Sequence, residues 1–455
     1  MREHVERNRR LPGREFDVVV AGGGTTGVVA AIASARTGAR TALVEAKGYA
    51  GGLVVEGGTA LHSFYNLWTG FEGARKRQVV RGIPQEIIDR LLAVGGTSGH
   101  GEMLAGLDYD SVCTAVDTEL YKWVALEMLR ESGVEVLLNT LVAGASAPEG
   151  RVEAAIVESR SGREALFAHT FVDCTGYGDL CAAAGADCTE PNDYPVANSM
   201  GVGGVSLEGF YEWLAERDAV FQHAVGRRSG EDGKTVRLQA DTRKLPEDFV
   251  RRAGAIGFWP VTTTVHDGYF MFIKLNVKMA VSPTDRDAAA AAELELRRRQ
   301  VAAVELIREY IPGCEKAFIA RTSPSLCIRR GRLVACDYDI TVADIVGARH
   351  FEDELMVYGF HDSAPRLQVG GGGTYGVPYR AVRVRGFENL LATGMMITSD
   401  HDAHMSTRNT VCCMGMGQGA GTAAGLCARE GVGTRELPYG ALREALERGG
   451  VYFEG

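Results

Sequence analysis

Between residues 17 and 139 the chain alternates between short apolar runs and longer segments whose apolar residues recur at helical spacing. The short runs predict buried strands, and the helical spacing predicts amphipathic helices. The predicted strands are residues 17–21, 40–45 and 134–139, and the predicted helices are a segment ending at Arg36 and residues 81–92 and 117–132. Strands that alternate with helices in this way indicate a doubly wound α/β domain.

The rest of the chain leaves this alternation and later returns to it. From about Met200 aromatic residues become frequent, and the pattern favours antiparallel strands over parallel ones. The predicted elements are paired strands at 151–160 and 164–173, antiparallel strands at 261–280, a long charged helix at 293–310, a strand at 390–393 and a glycine-rich helix from about Thr410. So many glycines make sense in that helix if another helix or a flat ring approaches it closely.

We therefore predict a doubly wound, Rossmann-like domain that is interrupted by an inserted α+β domain on the substrate side. The predicted boundaries are 14–200 and 313–430 for the two parts of the nucleotide-binding domain, 201–312 for the insertion and 431–455 for a C-terminal helical tail.

A glycine fingerprint follows the first predicted strand. Gly22, Gly24 and Gly27 have the G-x-G-x-x-G spacing: the first allows a tight turn, the second lets backbone approach a pyrophosphate, and the third lets helix and strand pack closely. The following helix directs its unpaired N–H groups at the phosphate. Glu45 ends the second strand, where a carboxylate can accept hydrogen bonds from both hydroxyls of an adenosine ribose. The sequence contains no second fingerprint, so it predicts a single bound dinucleotide.

Composition narrows the function classes. The 455 residues carry a net charge of -9, which gives no electrostatic footprint for nucleic acid. No apolar run reaches the roughly 18 residues of a membrane span, and the charged N-terminus lacks the apolar core of a secretory signal. The ten cysteines show neither a C-x-x-C pair nor a zinc spacing. We expect a cytoplasmic protein that holds no metal and binds neither membranes nor nucleic acid; adjacent Cys412 and Cys413 leave a redox-active pair open.

Several segments, in one order, carry a resemblance to a known family. They are the glycine fingerprint, the D-x-T-G-x-G-D segment from Asp173, the Ile311-Pro312-Gly313 step, Arg329 and Arg332, the Val377-Pro378-Tyr379-Arg380 step, the strand that ends at Gly394, and His401-Asp402-Ala403-His404 ahead of the glycine-rich helix. From residue 17 to about 428 the chain resembles FAD-dependent oxidoreductases of the glutathione-reductase-like, fumarate-reductase-related group.

The resemblance implies an FAD-binding doubly wound domain, with the flavin ring at the interface to the inserted domain. The cofactor-binding residues that it implies are Gly22, Gly24, Thr25, Thr26, Gly27, Glu45, Ala46, Lys47, Gly51, Gly52, Val142, Cys174, Thr175, Gly176, Asp179, Gly394, Asp400, Gly415, Met416 and Gly417. The last three belong to the glycine-rich helix, whose N-terminal stretch from Val411 to Gly417 would face the pyrimidine edge of the flavin. The chain departs from the family pattern at Cys336, where relatives carry glycine, and near Met395, where they carry arginine. The redox potential and the electron acceptor are therefore not implied.

The best candidates for catalysis lie just before that helix. A neutral histidine can take a proton from an alcohol or amine as hydride leaves the neighbouring carbon, and we predict this role for His404, with His401 as the competing choice. Arg408 would fix an anionic substrate or the flavin, or else form an ion pair with Asp400 or Asp402. His62 near the ring leaves a covalent flavin linkage open, although we predict non-covalent FAD.

The main hypothesis is an FAD-dependent oxidoreductase of the dehydrogenase type, which transfers hydride between flavin N5 and a small polar substrate at a CH–OH, CH–NH or CH–CH bond. The alternative is a flavoprotein whose FAD is structural or regulatory and does not turn over. Arg329 and Arg332 either bind a substrate carboxylate or hold the seam between the domains. The substrate, the direction of the reaction, the electron acceptor and a homo-oligomeric state are left open by the sequence.

Overall fold

The computed structural model describes residues 10–106, 112–364 and 366–454. Its strands are β1 (Gly13–Ala21), β2 (Thr41–Val44), β3 (Leu61–His62), β4 (Gly101–Ala105), β5 (Val112–Thr114), β6 (Glu135–Leu137), β7 (Leu141–Ser146), β8 (Ala154–Ser159), β9 (Gly162–Asp173), β10 (Cys188–Thr189), β11 (Val196–Gly203), β12 (Val220–Arg228), β13 (Glu231–Ala240), β14 (Phe258–Trp259), β15 (Val261–Thr263), β16 (Tyr269–Val277), β17 (Phe318–Thr322), β18 (Leu333–Val334), β19 (Glu354–Tyr358), β20 (Tyr375–Pro378) and β21 (Leu390–Ala392). Its α-helices are α1 (Thr25–Arg36), α2 (Leu53–Gly57), α3 (Ile83–Ala93), α4 (Thr118–Glu131), α5 (Asp179–Ala183), α6 (Leu207–Ala215), α7 (Glu247–Ala255), α8 (Arg286–Tyr310), α9 (Val342–Val346), α10 (His401–Thr407), α11 (Thr410–Glu430) and α12 (Tyr439–Arg448).

The central sheet is the predicted doubly wound, Rossmann-like α/β unit. Within the described residues it has seven strands, and its parallel part runs in the order β6-β2-β1-β9-β21. Val18, Val19 and Val20 of β1 are all fully buried, because a parallel sheet that is covered by helices buries both faces of its strands. The predicted strand pair around Ser161 is confirmed: β8 and β9 pair antiparallel, and β7 extends the sheet beyond β8.

A helix pair, α1 and α11, packs on one side of this sheet. Three glycines spaced four residues apart on α11 form one stripe that faces α1. A Cβ on Gly417 would lie 2.5 Å from the backbone oxygen of Thr26, and one on Gly421 would overlap the backbone oxygen of Ala30. The stripe therefore answers the question that the sequence left open: another helix approaches the glycine-rich helix.

Two antiparallel sheets and a long helix are formed outside this central sheet. One sheet runs β14-β16-β11-β17, and the other runs β15-β13-β12-β4-β5-β3 and so joins strands from before and after β9 in the chain. Helix α8 begins at Arg286, not near 293, because Asp285 caps it by accepting from the Ala288 amide at 2.8 Å and an alanine run continues the first turns. Strand β11 crosses residue 200, where the sequence predicts a domain boundary.

None of the helices in the described ranges combines the length and the apolar character that a membrane crossing takes.

Candidate active site

Loops that follow four parallel strands enclose a cavity of about 230 Å³, which we call the first cavity. The loops after β1, β2, β9 and β21 contribute Gly24, Glu45, Thr175 and Gly394 to its lining. Parallel strands end at the same edge of a sheet, and ligands of open α/β folds bind outside that edge. Residues more than 300 positions apart in sequence therefore meet around one cavity.

The glycine loop has a shape that only glycine allows. Gly22 has φ +94°, and a Cβ there would lie 2.5 Å from the backbone oxygen of Cys174. A Cβ on Gly24 would meet nothing within 4 Å, so this glycine leaves the cavity wall open at the N-terminus of α1. No side chain caps that helix. Its first N–H groups have no intrahelical acceptor and suit a bound phosphate.

The carboxylate of Glu45 lines the first cavity beside the glycine loop. It accepts hydrogen bonds from the backbone amides of Gly23 at 2.7 Å and Lys47 at 2.8 Å. Burial raises its pKa, which the two amide donors partly oppose. A phosphate-binding helix end, an open glycine turn and a hydrogen-bonded carboxylate after β2 together fit an adenosine dinucleotide.

A second cavity of about 480 Å³ lies beside the first. The two share Leu53, Met395, Arg408 and Thr410 in their linings. The two antiparallel sheets contribute much of the remaining lining of the second cavity, for example Phe272 and Lys274 from one face of β16. This volume is in the range of pockets for small organic ligands.

The sequence profile of the FAD dependent oxidoreductase family matches residues 17–446. The chain belongs to this family. Its cofactor is therefore FAD. The N-terminus of α1, the glycine loop and the carboxylate of Glu45 in the first cavity fit the adenosine and phosphate parts of this cofactor. A comparison with curated protein sequences gives no match.

Several solved structures are similar to this flavoprotein over most of its length at low identity. A myxobacterial chondrochloren halogenase of the FAD-dependent type has 14% identity and a TM-score of 0.49, over 95% of this chain and 78% of its own. A geranylgeranyl bacteriochlorophyll reductase-like protein from Thermoplasma acidophilum has 12% identity and a TM-score of 0.48, over 96% and 83%. The p-nitrophenol 4-monooxygenase of Pseudomonas putida has 14% identity and a TM-score of 0.42, over 96% and 81%.

Most of the FAD-binding residues expected from the resemblance line the first cavity. They are Gly22, Gly24, Thr25, Thr26, Glu45, Ala46, Lys47, Gly52, Val142, Cys174, Thr175, Gly176, Asp179 and Gly394. Sequence reasoning missed Glu56, which also lines it and is 3% exposed. This carboxylate forms an ion pair with Lys47 and accepts from the hydroxyls of Ser325 at 3.0 Å and Tyr49 at 3.2 Å.

Six of the expected FAD-binding residues lie outside the lining of the first cavity, and each has another contact. A Cβ on Gly27 would overlap the Gly22 oxygen, so this glycine serves the packing of α1 on β1. Gly51 accepts from the Thr25 hydroxyl at 2.9 Å, and Asp400 caps α10 by accepting from the Ala403 amide at 2.7 Å. The three from α11 are buried: Gly415 packs on Met356 and Gly417 on Thr26, and Met416 is 0% exposed. Thr410 and Cys413 of the first turn of α11 do line the first cavity, so the correction concerns only the three residues of the next turn, Gly415, Met416 and Gly417.

Arg408 lies where the two cavities meet. Its guanidinium forms an ion pair with Asp362 and a hydrogen bond of 3.3 Å to the Tyr194 hydroxyl. The acid is therefore neither Asp400 nor Asp402, the partners that the sequence suggested. Asp362 follows β19 by four residues and comes near Arg408 only through the fold, which is why spacing gave no signal for it.

The two candidate histidines lie away from both cavities. His404 is 0% exposed, and its Nε2 donates to the backbone oxygen of Arg329 at 2.8 Å. Burial lowers its pKa to about 3, so the ring is neutral. His401 begins α10 with its ring nearest Asp402, at 3.4 Å. This placement argues against direct proton transfer by His404, which instead holds the backbone of Arg329.

The remaining candidates divide between the two cavities and the interior. His62 and Arg329 line the second cavity. Arg332 instead pairs with Asp179 at 3.4 Å, as expected of a residue that holds a seam. Cys413 lines the first cavity, but burial raises its pKa to about 12. A thiol that stays protonated is a poor nucleophile, and this argues against a redox-active pair with Cys412.

Lys274 is an ionisable group of the second cavity that sequence reasoning missed. It lines the cavity beside Arg329 and Arg408. Burial, and next the nearby Arg329 cation, lower its pKa to about 7. The alternation of apolar and polar residues from Ile273 to Met279 was visible in the sequence, but it did not say that the polar face would line a cavity.

The Glu45 carboxylate gives a first testable prediction. Glu45→Ala should weaken FAD binding by about 10²-fold or more, because two charge-assisted hydrogen bonds to ribose hydroxyls are lost, at about 1.5–3 kcal/mol each. FAD retained after dialysis measures the effect. Glu158→Ala on β8, which lines neither cavity, is the matched control. Retention of FAD by Glu45→Ala at the wild-type level would remove Glu45 from the ribose site.

Proposed function

We propose that this FAD-dependent oxidoreductase is a dehydrogenase that exchanges hydride with a small polar substrate bound in the second cavity. The observation that carries the proposal is the shared wall of the two cavities, at Leu53, Met395, Arg408 and Thr410. When bound, the flavin supplies hydride transfer at N5. A ligand in the second cavity is then the immediate neighbour of the cofactor site, because the same four residues line both cavities. The narrower likeness to glutathione-reductase-like, fumarate-reductase-related flavoproteins stays part of this proposal.

We propose that Nζ of Lys274 accepts the proton that the substrate releases. Oxidation of a CH–OH or CH–NH group leaves a proton on oxygen or nitrogen, and a base in the cavity accelerates its removal. Its pKa is lowered to about 7 by burial and by the nearby Arg329 cation, so the neutral amine that can accept a proton is accessible near neutral pH. Among the described residues Lys274 forms no ion pair, so its amine stays available to the substrate.

Arg408 and Arg329 have supporting roles. Arg408, paired with Asp362, keeps a fixed cation at the junction of the cavities. His404 holds the backbone of Arg329, and the side chain of Arg329 lines the same cavity as Lys274. Because like charges repel, both arginines lower the pKa of Lys274. The lowered pKa favours the neutral amine, which is the form that can accept a proton.

Anaerobic bleaching of the flavin tests the function. We expect one or more alcohols or amines from a chemically varied panel to bleach the yellow holoenzyme without oxygen and without a nicotinamide. A monooxygenase or halogenase would require a nicotinamide or a partner reductase to reduce its flavin before the organic substrate reacts. Bleaching by reduced nicotinamide alone would therefore overturn the dehydrogenase assignment. A flavin that no organic substrate or nicotinamide reduces would favour structural or regulatory FAD.

The localisation and the partners are part of the same proposal. We infer a cytoplasmic protein whose partner is a small-molecule substrate, without a nucleic-acid or membrane partner. The electron acceptor and the oligomeric state are not assigned.

A further inference from the structure

Arg237 is a buried cation on a wall of the second cavity. It lies on β13, is 5% exposed and lines the cavity. Its Nε donates to Oε1 of Gln222 at 2.9 Å. Its Nη1 is also buried, and it has no hydrogen-bond partner among the residues that the structure describes. A buried charge with an unused donor is costly unless a further group binds it.

The other buried arginines of the described chain show what is missing at Arg237. Arg228, on the neighbouring strand β12, pairs with Glu208 and with Asp267 at 2.8 Å. Arg330 pairs with Asp193 at 3.1 Å. These two and Arg237 are the arginines under 9% exposed in the described ranges, and Arg237 forms no ion pair with any described residue. The protein thus supplies a carboxylate to each of the others and none to Arg237.

The second cavity as a whole is positively charged. Among the described residues its lining includes three arginines, Arg237, Arg329 and Arg408, and the amine of Lys274, against one acid, Asp362. The full chain carries a net charge of -9, so the excess of positive charge is local to this cavity. A cleft of one sign with low-dielectric walls concentrates ligands of the opposite sign.

The strands around Arg237 place it among neutral polar and apolar groups. Gln239 lies two residues along β13, on the same face, and pairs in register with Gln222 and Val261 of the neighbouring strands. All three line the cavity. Lys274 lies on the other sheet, near Arg408 and the shared wall. The cavity therefore has a cation at the junction with the cofactor site and a second cation on the β13 wall.

We propose that Arg237 binds a carboxylate of the substrate, so that the substrate is an organic acid. A guanidinium matches the planar carboxylate in a bidentate arrangement, and the amides of Gln222 and Gln239 beside it add neutral donors. The carboxylate would supply the counter-charge that no described residue gives the Arg237 guanidinium. The inference rests on the proposed function only for the reacting end of the substrate, the CH–OH or CH–NH group near Lys274. Binding of the carboxylate end of the substrate can be measured without turnover.

Calorimetric titration of the oxidised holoenzyme tests the inference. The probes are acetate to hexanoate and benzoate, each paired with its uncharged amide, and inorganic phosphate and sulfate. We expect at least one acid to bind about tenfold or more tightly than its amide. Arg237→Gln should abolish this preference. The exposed Arg286→Gln, on α8, is the matched control and should retain it. FAD content and thermal midpoint establish that each variant is folded.

Three outcomes would overturn the inference: no preference for the acid in any pair, a preference that survives in Arg237→Gln, or phosphate or sulfate binding more tightly than every carboxylate. If Arg237→Gln loses FAD, Arg237→Lys replaces it, and its acid preference should fall without disappearing, because a point charge keeps attraction but not bidentate geometry. The two proposals can fail separately. If acids bind in an Arg237-dependent way but no acid or alcohol bleaches the flavin of the holoenzyme, the carboxylate site is supported and only the dehydrogenase function is refuted.

Discussion

Replacing Lys274 by methionine is expected to slow reduction of the flavin by substrate by about 10²–10⁴-fold, which is what a positioned general base contributes. Methionine keeps the length and much of the volume of the side chain and removes only the amine. Stopped-flow absorbance of the flavin, with the substrate that the anaerobic screen yields, measures the step directly. Lys278→Met is the matched control, because Lys278 follows β16, is exposed and lines neither cavity.

The pH dependence gives this prediction a sign. Lys274 accepts a proton only as the neutral amine, and its pKa is lowered to about 7. The wild-type reduction rate should therefore rise as the pH passes through about 7 and level off above it, whereas the rate in Lys274→Met should show no such rise. If Lys274→Met reduces the flavin within about tenfold of the wild-type rate, or keeps the same inflection in its pH profile, another group accepts the proton.

The first cavity is the part of the site that the sequence could predict. Its residues occupy the first positions after strands, as Glu45 does after β2 and Thr175 after β9. Each strand is marked locally by a short apolar run, and parallel strands necessarily bring those positions to one edge of the sheet. Local pattern and simple topology are therefore sufficient there.

The second cavity was beyond the reach of the same reasoning. Arg237 and Lys274 reach it from two different antiparallel sheets, and their faces depend on the strand register and on which sheet β4 and β12 join. A shift of one residue in register would turn either side chain away from the cavity. His404 shows the reverse error: its position before α11 suggested the flavin, but the burial that makes it a structural residue is set by contacts with the loop of Arg329.

The glycines of α11 show how one sequence pattern permits two structures. A row of small residues admits either a flat ring or a second helix, and composition cannot choose between them. In this fold Gly421 faces Ala30 of α1 and Gly425 faces Thr37 at its end. The N-terminus of the same α1 lines the first cavity, so the helix contact and the cofactor site are mechanically coupled.

Gly421→Ala is therefore expected to destabilise the holoenzyme by about 3 kcal/mol or more and to release FAD, although alanine is the better helix former. The added methyl group would overlap the backbone oxygen of Ala30. Because a backbone atom can give way only if α1 itself moves, the cost should lie at or above the upper end of the usual overpacking range of about 1–3 kcal/mol. Gly440→Ala in α12 is the matched control: its Cβ would meet nothing within 4 Å, and it should be neutral or stabilise by up to about 1 kcal/mol. Denaturant unfolding and FAD retained after dialysis measure both variants. Equal stability of the two would mean that α11 does not pack on α1 through this stripe.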